Sequence, residues 1–214
     1  VVLSIQANTN NSAEISVLPT TLTFTNSSTD WKDPKSVTVT AVDDKVDDGD
    51  NSSTITVSVD KGSTADAKYD LLTSKTVSVT SIDNDEAGFS LPKTTATLSE
   101  SGTTDNFSVV LTSEPTATVT LTLSDNDSTE VLYPTSLVFG SGNWSTSQMI
   151  TLTGKDDNVR DDSQTTLLTL TPSGGDYSGL AAPTVTVTTS DNDTAGLTIV
   201  ESGSGTTAVE GGDN

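Results

Sequence analysis

The chain has 214 residues, with 30 acidic against nine basic side chains, a formal net charge of −21, and neither cysteine nor histidine. This inventory excludes disulfide staples, zinc and copper sites of the usual kind, Ser-His-Asp and Cys-His catalysis, and electrostatic attraction to nucleic-acid phosphates. Hydrophobic residues make up 31% and aromatics 4%, which is lean for a globular chain, and no run of about 20 apolar residues suggests insertion into a membrane.

Low hydrophobicity with high net charge is also the composition of disordered chains. Two patterns argue for folding instead. Apolar residues alternate with Thr and Ser, and the acids are clustered. Taken in chain order, Leu3 and Ile5 open an alternating segment, and Pro19-Thr20-Thr21-Leu22-Thr23-Phe24 follows. Val37, Val39 and Ala41 then alternate with Ser36, Thr38 and Thr40. Further on, strands are predicted near 88–99, 106–112, 117–124, 135–139, 147–154, 164–171 and 183–190. Thr suits the wet face of a strand because it is β-branched yet polar. Strict period-two alternation implies sheets with one buried face, and no helical period occurs.

An internal repeat organises these elements. Pro19–Phe24 matches Pro134–Phe139 at an offset of 115, Trp31 matches Trp144 at 113, and Val37–Thr40 matches Ile150–Thr153 at 113. Tyr69 matches Tyr177 and Asp83-Asn84-Asp85 matches Asp191-Asn192-Asp193, both at 108. Residues 87–194 are therefore expected to form one complete repeat. Residues 1–86 read as a repeat without its first strands, and 195–214 as the first strand of another. The chain is expected to be a window on a longer array, with neighbouring repeats or identical subunits as partners and strand donation as the alternative source of the absent strands. Seven short strands per hundred residues give the fold class: all-β, tandem immunoglobulin-like antiparallel β-sandwiches of about seven strands each. Trp31, Trp144, Tyr69 and Tyr177 are expected to pack in the cores.

The acids that recur between copies are the candidate metal ligands. Asp43, Asp44 and Asp48 map to Asp156, Asp157 and Asp161, and Asp83 and Asp85 map to Asp191 and Asp193. Glu100-Ser101-Gly102 is echoed by Glu201-Ser202-Gly203. Asp47 maps to Arg160 and Asp50 to Ser163, so these two read as loop charge. The turn at Glu100, the Asp156–Asp161 turn and the end of the last strand at Asp191–Asp193 are predicted to converge where one repeat joins the next. So many carboxylates repel unless a hard cation joins them. Calcium, with six to eight oxygen ligands in flexible geometry, fits better than magnesium.

Glu100-Ser101-Gly102 after a first strand, Asp156-Asp157 with Asp161 four residues on, and the terminal Asp191-Asn192-Asp193 together resemble the Calx-beta repeat family. The resemblance spans nearly the whole chain, as two copies and a fragment. It implies seven-stranded immunoglobulin-like sandwiches, calcium as the cofactor, and long arrays in bacterial surface and secreted proteins. Asp48 and Asp161 stand where the family often has Glu, a longer acid. The expected role is an extracellular, cell-surface spacer or filament-forming module rigidified by calcium at its junctions. The alternative is an adhesin module that binds a cell-surface ligand, carbohydrate or protein, through the 49–68 or 172–182 loops. An enzyme is not expected, because a carboxylate pair would need a pocket and no aromatic segment is there to form one.

Overall fold

The computed structural model describes residues 1–8, 14–27, 29–200, 203 and 205. Among them the alternating Thr/apolar segments form fifteen strands, and the other regular elements are two single 3-10 turns, Tyr69–Leu71 and Gly175–Tyr177. The strands are β1 (Val2–Asn8), β2 (Ile15–Leu18), β3 (Thr21–Thr23), β4 (Thr38–Ala41), β5 (Asn51–Val59), β6 (Lys75–Ser81), β7 (Phe89–Ser90), β8 (Thr95–Ser99), β9 (Thr104–Leu111), β10 (Val119–Ser124), β11 (Val131–Leu132), β12 (Ser136–Phe139), β13 (Gln148–Gly154), β14 (Gln164–Ser173) and β15 (Thr184–Ser190).

Four sheets result, ordered β3-β1-β5-β6, β2-β4, β12-β10-β14-β15-β8 and β11-β13-β9-β7. The chain is thus all-β, with the antiparallel pairing of immunoglobulin-like sandwiches. The pairing itself recurs. β10 lies between β12 and β14 as β1 lies between β3 and β5, and β15 flanks β14 as β6 flanks β5.

Two details differ from the period-two reading. The single strand expected over 88–99 is two strands on opposite sheets, β7 pairing with β9 and β8 with β15. Pro92 lies between them; it has no N–H to extend a ladder, so the chain is free to cross sheets there. The β8–β15 pair is parallel, from Thr186 opposite Thr95 to Ser190 opposite Ser99. That pairing brings the ends of both strands, and the acids that follow them, to one end of the sandwich.

The alternate residues of β8, β9, β10, β13, β14 and β15 close one core, including Leu98, Phe107, Leu121, Leu152, Leu170 and Val187. Gly154 ends β13 in close quarters, since a Cβ there would stand 2.1 Å from the Ser99 carbonyl oxygen. Only a residue without a side chain lets β13 approach β8 this closely.

The aromatic expectation divides. Tyr177 is buried, its ring edge-on to Phe89 at 5.5 Å, and its hydroxyl donates to the Ser113 carbonyl at 2.9 Å while accepting the Ser113 N–H at 3.1 Å. Trp144 packs against the same core. Trp31 and Tyr69 are exposed instead. The reason is structural: Tyr177 is held by β7 and by the turn after β9, and no strand occupies those places beside Tyr69 among the described residues. The smaller core there consists of Ile5, Ile15, Val17 and Ile55.

Candidate metal centre

The parallel β8–β15 pair positions the centre. The Glu100 N–H donates to the Ser190 carbonyl at 3.1 Å, which fastens the residue after β8 to the end of β15. The Glu100 side chain is 1% exposed, and its Oε2 accepts the Asn192 N–H at 3.1 Å. Asp191 organises the loop around it. Its Oδ2 accepts the N–H groups of Asp161 and Asp162 at 3.1 and 2.9 Å, and its Oδ1 accepts that of Asp193 at 2.6 Å. The Asn192 amide donates to Asp156 Oδ1 at 3.2 Å. Asp157 Oδ1 accepts the Val159 N–H at 2.7 Å. Three turns thus meet at one end, and single carboxylate oxygens of Glu100, Asp191 and Asp193 lie within 4.8 Å of one another.

A fourth element joins them from β11. Glu130, immediately before Val131, is 1% exposed. Its Oε1 takes only the Thr129 hydroxyl at 3.2 Å. Glu130 Oε2, Asp161 Oδ1 and Asp193 Oδ2 are buried with no hydrogen-bond partner. Buried polar atoms are nearly always satisfied, so three orphaned carboxylate oxygens in one neighbourhood need an explanation. The nearby cations do not supply it. Lys155 donates to the Ser128 carbonyl and Arg160 pairs with Asp162.

The electrostatics agree. Burial pushes the Glu130 carboxyl above its ordinary range, and the charges of Asp161 and Glu100 add to this. Burial, Asp191, Asp156, Asp157 and Asp161 raise Asp193 in turn. For Glu100 the Asn192 N–H is the strongest influence and favours the anion, yet burial with Asp191, Asp157 and Asp161 prevails and the net shift is upward. Asp191 is shifted down, first by the Asp193 N–H. It is therefore the anion that scaffolds the loop, while Glu100, Glu130 and Asp193 carry the unrelieved repulsion.

The corresponding place in the N-terminal repeat is a cleft lined by Glu14, Asp43, Asp44, Asp48, Asp83 and Asp85, enclosing about 20 Å³. That is room for one body the size of a water molecule. Asp83 repeats the part of Asp191, its Oδ2 accepting the N–H groups of Asp48 and Gly49 at 3.0 and 2.7 Å and its Oδ1 that of Asp85 at 2.9 Å. Asp44 Oδ1 accepts the Val46 N–H, and Asp43 leans outward to Lys45 at 3.5 Å. Glu201 lies outside the described residues.

Four further acids with defined places in these two ends escape a reading based on acid clusters. Glu130 and Glu14 stand alone in the sequence, but each precedes an apolar strand residue, Val131 and Ile15, at the common offset of 116. That recurrence was the available signal. Asp47 and Asp50, read as loop charge, have definite partners. Asp50 Oδ1 accepts the Asp83 N–H at 3.1 Å. Asp47 Oδ2 accepts the N–H of Ala87 at 2.8 Å, where the next repeat begins.

The fold and site define a β-sandwich module with a buried acidic end. No family model matches the chain, and no curated protein matches it. Among solved structures it is similar to the apo Calx CBD1 domain, at 20% identity and TM-score 0.38, over 49% of this chain and 96% of that one. It is similar to CBD12 of CALX1.2 at 21% and 0.37, over 49% and 45%. It also resembles domains 4 and 5 of the S-layer protein SbsC at 14% and 0.37, over 88% and 70%. No described helix is long and apolar enough to cross a membrane.

Proposed function

We propose that this chain is a Calx-beta-like extension module of an extracellular or cell-surface array, non-enzymatic, whose junctions calcium stiffens. The observation that carries the cation is the set of buried, unpartnered oxygens on Glu130, Asp161 and Asp193 beside Glu100. A hard cation that prefers oxygen ligands would relieve the crowding of these carboxylates, and flexible coordination suits a site assembled from separate turns. Glu100, Asp191 and Asp193, whose oxygens lie within 4.8 Å of one another, would hold it, Asp191 also fixing the loop, with Glu130 and Asp161 drawn in from the neighbouring turns. Glu14, Asp48 and Asp85 are the corresponding ligands in the N-terminal repeat, where Asp83 is the scaffold.

The stiffening follows from where the N-terminal loop reaches. The loop that carries Asp44 and Asp48 also touches the next repeat. The Lys45 carbonyl accepts the Glu114 N–H at 2.7 Å, and Asp47 accepts the Ala87 N–H. A cation that orders residues 43–50 therefore orders the joint. Melting temperature with calcium and with a chelator tests this reading. The expected result is a clear rise with calcium, and equal values would remove calcium from the account.

A further inference from the structure

Every second residue of a sandwich strand faces the core. Read towards the acidic end, those residues are Val185, Val187 and Thr189 on β15, and Leu170, Leu168 and Thr166 on β14. On both strands the series turns from apolar to hydroxyl just below the carboxylates. Thr166 and Thr189 are each 1% exposed, and neither hydroxyl has a hydrogen-bond partner among the described residues. Leaving a buried hydroxyl unsatisfied costs about 1–3 kcal/mol, and Val has nearly the same shape and suits a strand as well. The exception nonetheless recurs. Ser53 and Ser81 match Thr166 and Thr189 at offsets of 113 and 108, both are buried, and Ser81 faces Asn51 as Thr189 faces Gln164. Two copies thus place a hydroxyl pair where the rest of the pattern calls for aliphatic residues.

The register fixes where these hydroxyls stand. Thr189 lies opposite Gln164, so Thr166 is its diagonal neighbour on the same face, with Cα atoms about 7–8 Å apart and Cβ atoms closer. Two hydroxyls inclined towards each other from there leave a gap that one water molecule spans, at about 2.7–2.8 Å on either side. Thr189 also lies opposite Leu98 of β8. Two residues further on, Asp191 and Glu100 take the next places on that face, about 6–7 Å above. Glu130 reaches the same end from the opposite sheet, and its Oε2 is likewise buried and unpartnered. A buried water needs two to four polar partners. The hydroxyl pair supplies two, and the carboxylate layer supplies the others.

We propose that Thr166 and Thr189 bind one buried water molecule and hold it at the underside of the acidic end, where it is also an inner ligand of the cation, a part of the proposal that rests on the cation reading above. A hydroxyl both donates and accepts, so the pair serves the water in either state. Without the ion, the hydroxyls donate to the water and the water gives its own hydrogens to the carboxylates. With the ion, the water turns its oxygen to the cation and donates both hydrogens to the hydroxyls. Calcium takes six to eight oxygens, and this water fills a position that the core side of the site would otherwise leave to aliphatic groups. Thr166 and Thr189 are then positioning residues, acting on the ion through the water they orient.

The test compares the whole chain with its Thr166→Val and Thr189→Val variants, which keep the shape and remove the hydroxyl, and with Thr189→Ser, which retains it. Oxygen-17 magnetic relaxation dispersion counts long-lived buried waters, calorimetric titration reads calcium affinity, and circular dichroism confirms that each variant is folded. Either Val variant should lose the dispersion amplitude of one water and bind calcium about tenfold more weakly, while Thr189→Ser should match the parent in both readings. An unchanged amplitude in both folded Val variants would overturn the water site. A lost water with unaltered calcium affinity would overturn its place as a ligand and leave the water site standing. A parent chain that takes up no calcium would remove the cation reading and the ligand role together, and the dispersion would still decide the water.

Discussion

Replacing Glu130 by Gln separates a cation site from a merely acidic end. The side chain is 1% exposed and its Oε2 has no partner, while Asp161 and Glu100 add repulsion. Leaving a buried polar atom unsatisfied costs about 1–3 kcal/mol. Gln keeps the shape, removes the charge and offers N–H donors to the surrounding carboxylates. In chelator the variant should therefore melt higher than the parent, by about 2–12 °C at roughly 2–4 °C per kcal/mol for a chain of this size. In calcium the order reverses. A cation at about a hundred times its dissociation constant adds about 2.7 kcal/mol to the parent, and the variant, short of one anionic ligand, should lose most of that. Differential scanning calorimetry in both buffers reads the crossing directly. A variant that is less stable in chelator yet keeps the full calcium shift would refute the reasoning, since Glu130 would then be a packed structural acid.

Other perturbations reach different parts of the chain. Tyr177→Phe leaves the buried Ser113 groups without the hydroxyl that joins them and should cost about 1–3 kcal/mol in chemical denaturation, whereas Tyr69→Phe, at an exposed site, should stay within about 0.5 kcal/mol. Asp47→Ala frees the Ala87 N–H and should speed that amide's hydrogen exchange several-fold to about tenfold without altering the C-terminal core. Asp30 is held down to about 2, chiefly by Lys35 and then by the Thr25 N–H. A depressed carboxylate contributes stability that is present above its unfolded value and lost as pH falls through the folded one. The difference in denaturation midpoint between the parent and Asp30→Asn should therefore persist at about pH 5 and vanish between about pH 4 and 2.

Much of the fold was legible because a strand with one wet face writes itself as alternation. β10, Val119–Ser124, alternates Val and Leu with Thr as far as Leu123, and β15, Thr184–Ser190, alternates Thr with Val as far as Thr188. Pairing direction is not written that way. The parallel β8–β15 contact depends on the chain crossing sheets at Pro92, and a continuous alternating run through 88–99 conceals it. Burial of Tyr69 could not be carried over from Tyr177 by similarity, because an aromatic is buried by its neighbours, here β7 and the turn after β9. At the site, the recurrent acids Asp191 and Asp193 were visible as a cluster. Glu130 stands outside any cluster, so its only mark in the sequence is its recurrence with Glu14, and topology then brings it to the same end as Glu100. Asp47 does not recur, because Arg160 stands in its place in the second copy. Yet it accepts the first amide of the following repeat, and that contact belongs to one particular joint rather than to the repeat in general.

A cation site, unlike a solvated acidic surface, must take up its ion saturably and lose it with its ligands. Calorimetric titration of calcium into chelator-stripped protein, beside the double variant Glu100→Gln/Glu130→Gln, tests it most directly. Saturable binding is expected in the parent, with the C-terminal site's share of the heat absent from the double variant. Identical titrations of the two proteins, or no saturable heat in the parent at millimolar calcium, would contradict it.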